Sequence, residues 1–204
     1  MSLPSSAIIE DIEDMCNSGS ASMAYFVFDF RDHQKQSRID MIPSLLTQLS
    51  ARSTRHCDVL SHLYSAHNRG AQTPSDGDLT QCLKDMLSLC KNPVYIIMDA
   101  IDECPNIPGV PSPREEVLEL LKELVEARLP GLRLCVTSRP EISIRAVLEP
   151  LPSLRVSLHD EIGQKQDITE YIKAIVRSDA KIGRWREEDK ALVIDTLSDR
   201  ANGM

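Results

Sequence analysis

Four short apolar runs constrain this chain more than any other feature. They lie at residues 23–30 (MAYFVFDF), 94–98 (VYIIM), 132–137 (LRLCVT) and 154–158 (LRVSL), and long polar-and-apolar stretches separate them. Runs that are apolar at consecutive positions, rather than alternating, predict strands buried on both faces. The intervening stretches repeat their apolar residues at helical spacing. Examples are Ile8, Ile9, Ile12 and Met15; Ile42, Leu45, Leu46 and Leu49; and Leu79, Cys82, Leu83, Met86, Leu87 and Cys90. Strands that alternate with helices long enough to cross over predict parallel βαβ units with helices on both faces of the sheet.

Helix signals sharpen the outline. Helices are expected over 5–15, 39–50, 55–66, from Ser75 to about Cys90, from Ser112 through Val125, over 141–148, 164–177 and 187–201. Ser75 with Asp78, and Ser112 with Pro113 and Glu115, have the spacing of capped helix starts. The segments NRGAQTPSDGD and 105–113, rich in Gly and Pro, read as loops.

Composition excludes several classes. The 204 residues carry 31 acidic and 23 basic side chains, a net charge of −8. With no basic block, the chain has no electrostatic footprint for nucleic acid or an anionic membrane. No apolar run approaches the roughly 20 residues of a membrane span. The opening MSLPSSAIIEDIEDM has four acids and no basic segment, so it does not read as a secretory signal. None of the six cysteines forms a C-x-x-C pair, and most lie in apolar stretches. They are expected to be reduced, mostly buried thiols in a cytoplasmic protein.

The chemistry is expected at the carboxyl ends of the strands, where open parallel sheets bind ligands. In VYIIMDAIDEC, a buried strand runs into Asp99, Asp102 and Glu103. A carboxylate at the tip of such a strand needs a partner, and Mg²⁺ is a natural one. Glu103 would then be placed to orient or deprotonate a water attacking a γ-phosphate. A plain turn or helix-cap role for Asp99 fits the same position. In LCVTSRPE, Thr137, Ser138 and Arg139 follow the next strand, and Arg139 would lie beside the acids if the two strands are neighbours. Asp29, in FDF, stands at another strand end.

The pair VYIIMDAIDEC and LCVTSRPE resembles the Walker B and sensor segments of NACHT domains, P-loop NTPases of the STAND class. The nearest resemblance is to fungal nephrocystin-like NACHT proteins. AYFVFDFRD is similar to the family's second-strand segment and PSLLTQLS to the helix after it. QDITEYIKAIV and RANGM are similar to the start of its helical domain. The resemblance implies a three-layer, P-loop-NTPase-like α/β fold. It implies Asp99 as the Mg²⁺-coordinating residue, Asp102 or Glu103 as the group that activates water, and Arg139 as a nucleotide-sensing arginine. It also implies Mg²⁺ with ATP or GTP, slow hydrolysis, signalling or non-self recognition, and partners that are other proteins or further copies of the chain.

One departure is decisive. Nowhere in the 204 residues does G-x-x-x-x-G-K-[ST] occur, the loop whose amides and lysine hold the phosphates. The resemblance aligns Leu3–Ser6 with the helix directly after that loop. The expectation is therefore an incomplete nucleotide-binding core over 1–160, lacking its first (P-loop) strand, followed by the beginning of a helical domain over 161–204. Such a chain should bind nucleotide weakly and hydrolyse none on its own, and unpaired sheet edges should make it poorly stable. Two rivals remain: a degenerate, non-enzymatic protein-interaction module, and a receiver-like domain phosphorylated on Asp99.

Overall fold

The computed structural model describes residues 3–51, 53–107, 111–152, 154, 156, 162–179 and 181–200. The chain divides into two compact units, 1–152 and 153–204.

In the first unit, helix α1 (Leu3–Asn17) leads into strand β1 (Ser22–Val27). Helices α2 (Arg38–Ser50), α3 (Thr54–Ala66) and α4 (Asp76–Ser88) follow before strand β2 (Val94–Asp99). Helix α5 (Pro113–Glu126), strand β3 (Leu132–Val136) and the short helix α6 (Ile142–Leu148) complete it. The strands form one parallel sheet in the order β1-β2-β3, with Ser22 opposite Val94 and Val94 opposite Leu132. The chain is thus α/β, with a three-stranded parallel sheet among the described residues. The strand expected over 154–158 lies largely outside them; Leu154 and Val156 are described and exposed.

Consecutive positions of β2 serve opposite faces. Val94, Ile96 and Met98 join the main core with Leu45, Leu83, Met86, Leu121 and Leu124 from α2, α4 and α5. Ile97 packs with Met23 of β1 and with Ile9 and Ile12 of α1 on the other face. Helices therefore cover both faces. Each fully buried Leu or Ile contributes on the order of 2 kcal/mol of transfer free energy. Both expected capping boxes form, with Ser75 and Ser112 each accepting from the backbone N–H three residues on and the side chain there accepting in return.

The first run is shorter as a strand than its composition predicts. Phe28 N–H still bonds to Asp99 O at 3.0 Å, but Asp29 N–H turns to Lys35 O at 3.1 Å. The chain leaves the sheet there because a local turn satisfies its backbone. Phe30 consequently ends up exposed. All six cysteines are free; Cys82 and Cys104 are buried and Cys57 is exposed.

The second unit contains helices α7 (Ile162–Ser178) and α8 (Glu187–Arg200), joined by a tight turn. Asp179 Oδ1 accepts from the backbone N–H of Lys181 (2.7 Å) and Ile182 (3.0 Å) and so fixes that turn. These two amides hold its carboxyl below the usual aspartate range. No helix among the described residues is long and apolar enough to cross a membrane.

Candidate functional site

The carboxyl ends of β2 and β3 meet at Asp99. Its side chain points to the α1 face, the face of Tyr95 and Ile97, as strand periodicity requires. The residue is 1% exposed. Oδ1 accepts two short bonds, from Ser5 Oγ at 2.6 Å and from Thr137 Oγ1 at 2.6 Å. Ser5 lies in the first turn of α1, so a single carboxylate oxygen ties that helix to β2 and to the end of β3. Thr137 is held in turn. Its N–H donates to Met98 O, its carbonyl accepts from Ile101 N–H, and its hydroxyl accepts from Ala100 N–H at 3.0 Å. Hydroxyl donors to a buried carboxylate replace the water it has lost.

The backbone turns sharply just past Asp99. Ala100 has φ 59° and ψ 51°, the left-handed region that a side chain with a Cβ seldom occupies. A short 3-10 turn over Ile101–Glu103 follows. Strained non-glycine residues of this kind cluster at functional sites.

The three acids of the motif separate. Asp102 Oδ1 accepts from Arg139 N–H at 3.0 Å, and Oδ2 lies 3.3 Å from Arg139 Nε. β2 and β3 being neighbours, the arginine does sit beside the acidic strand end. Its side chain is 81% exposed while that of Asp102 is 8% exposed. Glu103 turns toward the loop after β1 and accepts from Phe30 N–H at 3.3 Å. Asp29 chelates Arg31 through Nε and Nη2, and that guanidinium lowers its pKa to about 2. Arg31 also lies over the Phe30 ring, 5.6 Å from its centre.

Two contributors carry no sequence signal as site residues. Ser5 lies 94 residues from Asp99. Arg114 sits in the first turn of α5, where a charged residue reads as solvated, yet it is 6% exposed. Its Nε donates to Cys104 O at 2.9 Å, Nη2 donates to Asp102 O at 2.5 Å, and Nη1 pairs with Glu141. It anchors the turn that carries Asp102 and Glu103. Cys104 closes the same turn from the other side, donating Sγ–H to Gln36 O at 2.9 Å. Burial pushes its thiol up to about 12.

Asp99, Asp102 and Glu103 do not by themselves form a multi-carboxylate cation site. Among the described residues no group of three or more His, Cys, Asp or Glu side chains is placed to hold a metal ion. Asp99 offers one carboxylate with two hydroxyls already on one oxygen. A hard cation such as Mg²⁺ requires near-octahedral oxygen coordination. Such an ion is ordinarily held by one or two carboxylates together with substrate phosphates and water.

No curated protein and no solved structure matches the chain. A family model does. The one described as Nephrocystin 3, N-terminal matches residues 2–139, a span that runs from α1 through all three strands to Arg139. Because that match takes in more than half of the chain and every residue of the strand-end cluster but Glu141, the chain belongs to the nephrocystin 3 N-terminal family.

Proposed function

We propose that this chain is part of a nucleotide-dependent signalling module, contributing the acidic, strand-end half of a P-loop-NTPase-like site. The reading is supported chiefly by the hydroxyl-bonded Asp99 at the junction of two parallel strands, with the Asp102–Arg139 pair beside it. Ligands of open parallel sheets bind at such strand ends. Within residues 1–204 the phosphate-cradling loop is missing from the sequence. Phosphoryl transfer depends almost wholly on positioning and charge neutralisation. The chain by itself is therefore not a working NTPase.

A second reading is favoured by one observation: the motif acids are already engaged within the protein, Asp102 by Arg139 and Glu103 by Phe30 N–H. In that reading the acids are structural and the domain is a protein-interaction module, joining other proteins or further copies of itself.

One experiment has two arms. Phosphate release from Mg–ATP and Mg–GTP by the chain should not exceed that of a no-protein control. Release abolished by Asp99→Ala would overturn the proposal. In the second arm, a strand and a G-x-x-x-x-G-K-[ST] loop are joined ahead of Leu3. Mg–nucleotide binding should appear, and Asp99→Asn should weaken it by about tenfold or more, roughly one charge-assisted contact. A correctly folded fusion that binds no nucleotide would support the interaction module instead.

A further inference from the structure

The outer edge of β3 carries backbone groups that the strand-end site does not use. Thr137 N–H bonds to Met98 O and Val94 N–H bonds to Gly131 O, so the odd-numbered residues of β3 turn their backbone groups inward to β2. Leu134 and Val136 each direct an N–H and a C=O away from the sheet, and among the described residues no hydrogen bond reaches these groups. Leu132, the other outward residue of β3, is already engaged. Its N–H bonds to Leu129 O, and its carbonyl accepts from Arg133 Nη1 at 3.2 Å. Leu134 and Val136 are half-buried, so the edge is reachable. A row of outward donors and acceptors is matched by another extended backbone.

The opposite edge of the sheet decides whose backbone that is. There Gln48 holds both backbone groups of Tyr25, the middle of β1. This blocks head-to-tail pairing of β3 with the β1 of another copy, the pairing that would run on into a fibre. Pairing of β3 with β3 remains, and a two-fold axis makes it antiparallel. The open groups sit at Leu134 and Val136, so one register satisfies all of them: Leu134 of each copy exchanges both bonds with Val136 of the other. Cys135 then faces its own counterpart on the axis as a non-hydrogen-bonded pair. That position suits it, because its backbone groups turn inward to β2. In the same register Arg133 falls opposite Thr137 and not opposite another charge.

We propose that β3 docks the β3 of a second copy of this chain, antiparallel and centred on Cys135. The inference stands apart from the nucleotide reading, since it uses backbone groups alone. The pairing is closed: it satisfies the outward groups of both β3 strands and stops at two copies. So few hydrogen bonds make an interface of the weak, transient class. The net charge of −8 opposes it at long range, so added salt should strengthen it. In dilute solution the edge stays open, and pairing is expected toward about 1 mM.

The central pair supplies its own probe. Opposed residues of a non-hydrogen-bonded pair have Cα atoms about 4.5 Å apart, within the range that a disulfide spans. The exposed Cys57 is first replaced, as Cys57→Ser. Oxidation of the full 204-residue chain by copper(II)–phenanthroline should then give a dimer linked from Cys135 to Cys135, mapped by mass spectrometry. Its yield should rise with protein concentration and with salt. Val136→Pro removes one outward donor and leaves the ladder to β2 intact. It should lower the yield by about tenfold or more, with circular dichroism unchanged. Amide exchange of the unsubstituted chain is the second readout: Leu134 and Val136 should gain protection as concentration rises. The proposal is overturned if links form only through other cysteines, or if Val136→Pro links as readily as its parent. It is equally overturned if protection at Leu134 and Val136 does not change with concentration. Constant slow exchange would mean that the same chain covers its own edge, and constant fast exchange that no second copy does.

Discussion

The two edges of the sheet are finished in opposite ways. On β1, Gln48 of α2 takes the place of a neighbouring strand. Its Oε1 accepts from Tyr25 N–H at 3.0 Å and its Nε2 donates to Tyr25 O at 2.8 Å. One side-chain amide thereby satisfies both backbone groups of a mid-strand residue. On β3, Arg133 and Cys135 bond inward to β2, so Leu134 and Val136 direct their N–H and C=O groups outward. Among the described residues no hydrogen bond reaches those outward groups. An edge of this kind is a template for another strand, and proteins ordinarily block it. The edge left open among the described residues belongs to the strand that delivers Thr137 and Arg139 to the candidate site. Among the described residues, the side of the sheet that carries the chemistry is the side left unfinished.

The largest test of this contrast removes the tie that holds β3 at its end. Asp99→Ala removes the acceptor that the Ser5 and Thr137 hydroxyls share, and should cost about 2–4 kcal/mol in urea unfolding. A loss below 1 kcal/mol, small against the cost of a buried network, would mean that the tie is idle. The next makes the two edges alike. Gln48→Ala should destabilise by about 1–2 kcal/mol and increase concentration-dependent association, seen by light scattering. A smaller effect is expected where the backbone is strained. Ala100→Gly relieves the left-handed conformation and should stabilise by about 0.5–1 kcal/mol. A loss of stability would mean that the alanine methyl makes packing that outweighs the strain.

The smallest concerns the loop beyond β1. Asp29 has its pKa lowered from 3.8 to about 2 by Arg31. A depressed carboxylate contributes stability above its unfolded value and loses it as pH falls through the folded one. That contribution is therefore present above about pH 4 and disappears toward pH 2. Asp29→Asn should flatten the acid limb of stability in that window, and added salt should shrink the difference because the pair is exposed. An unchanged acid limb would contradict the assignment.

Much of this arrangement was legible in residue patterns, and some was not for physical reasons. The order of strands and helices in the first unit follows from runs such as VYIIM and from apolar spacing, because burial imposes a period on sequence. Ser75–Asp78 and Ser112–Glu115 declare themselves because a capping box is a local geometry. Asp99 was legible as a strand-tip carboxylate, but its partner Ser5 was not, since a hydrogen bond across 94 residues leaves no periodic trace. Gln48 reads as an ordinary polar position on an amphipathic helix, and its role exists only once Tyr25 lies beside it. Arg114 misleads outright, for nothing local shows that three acceptors will bury a cation. FDF has strand composition, yet the turn closed by Lys35 decides where β1 stops.

Residue-resolved amide hydrogen exchange tests the central contrast most directly. Tyr25 N–H, although on an edge strand, should exchange as slowly as those of its buried neighbours Ala24 and Phe26 because Gln48 holds it. Leu134 and Val136 should exchange at least about a hundredfold faster than Cys135 between them, as open amides do relative to ladder amides. Gln48→Ala should bring Tyr25 to the same fast regime. Equal protection at Leu134, Cys135 and Val136 would show that the β3 edge is covered, and would contradict the account.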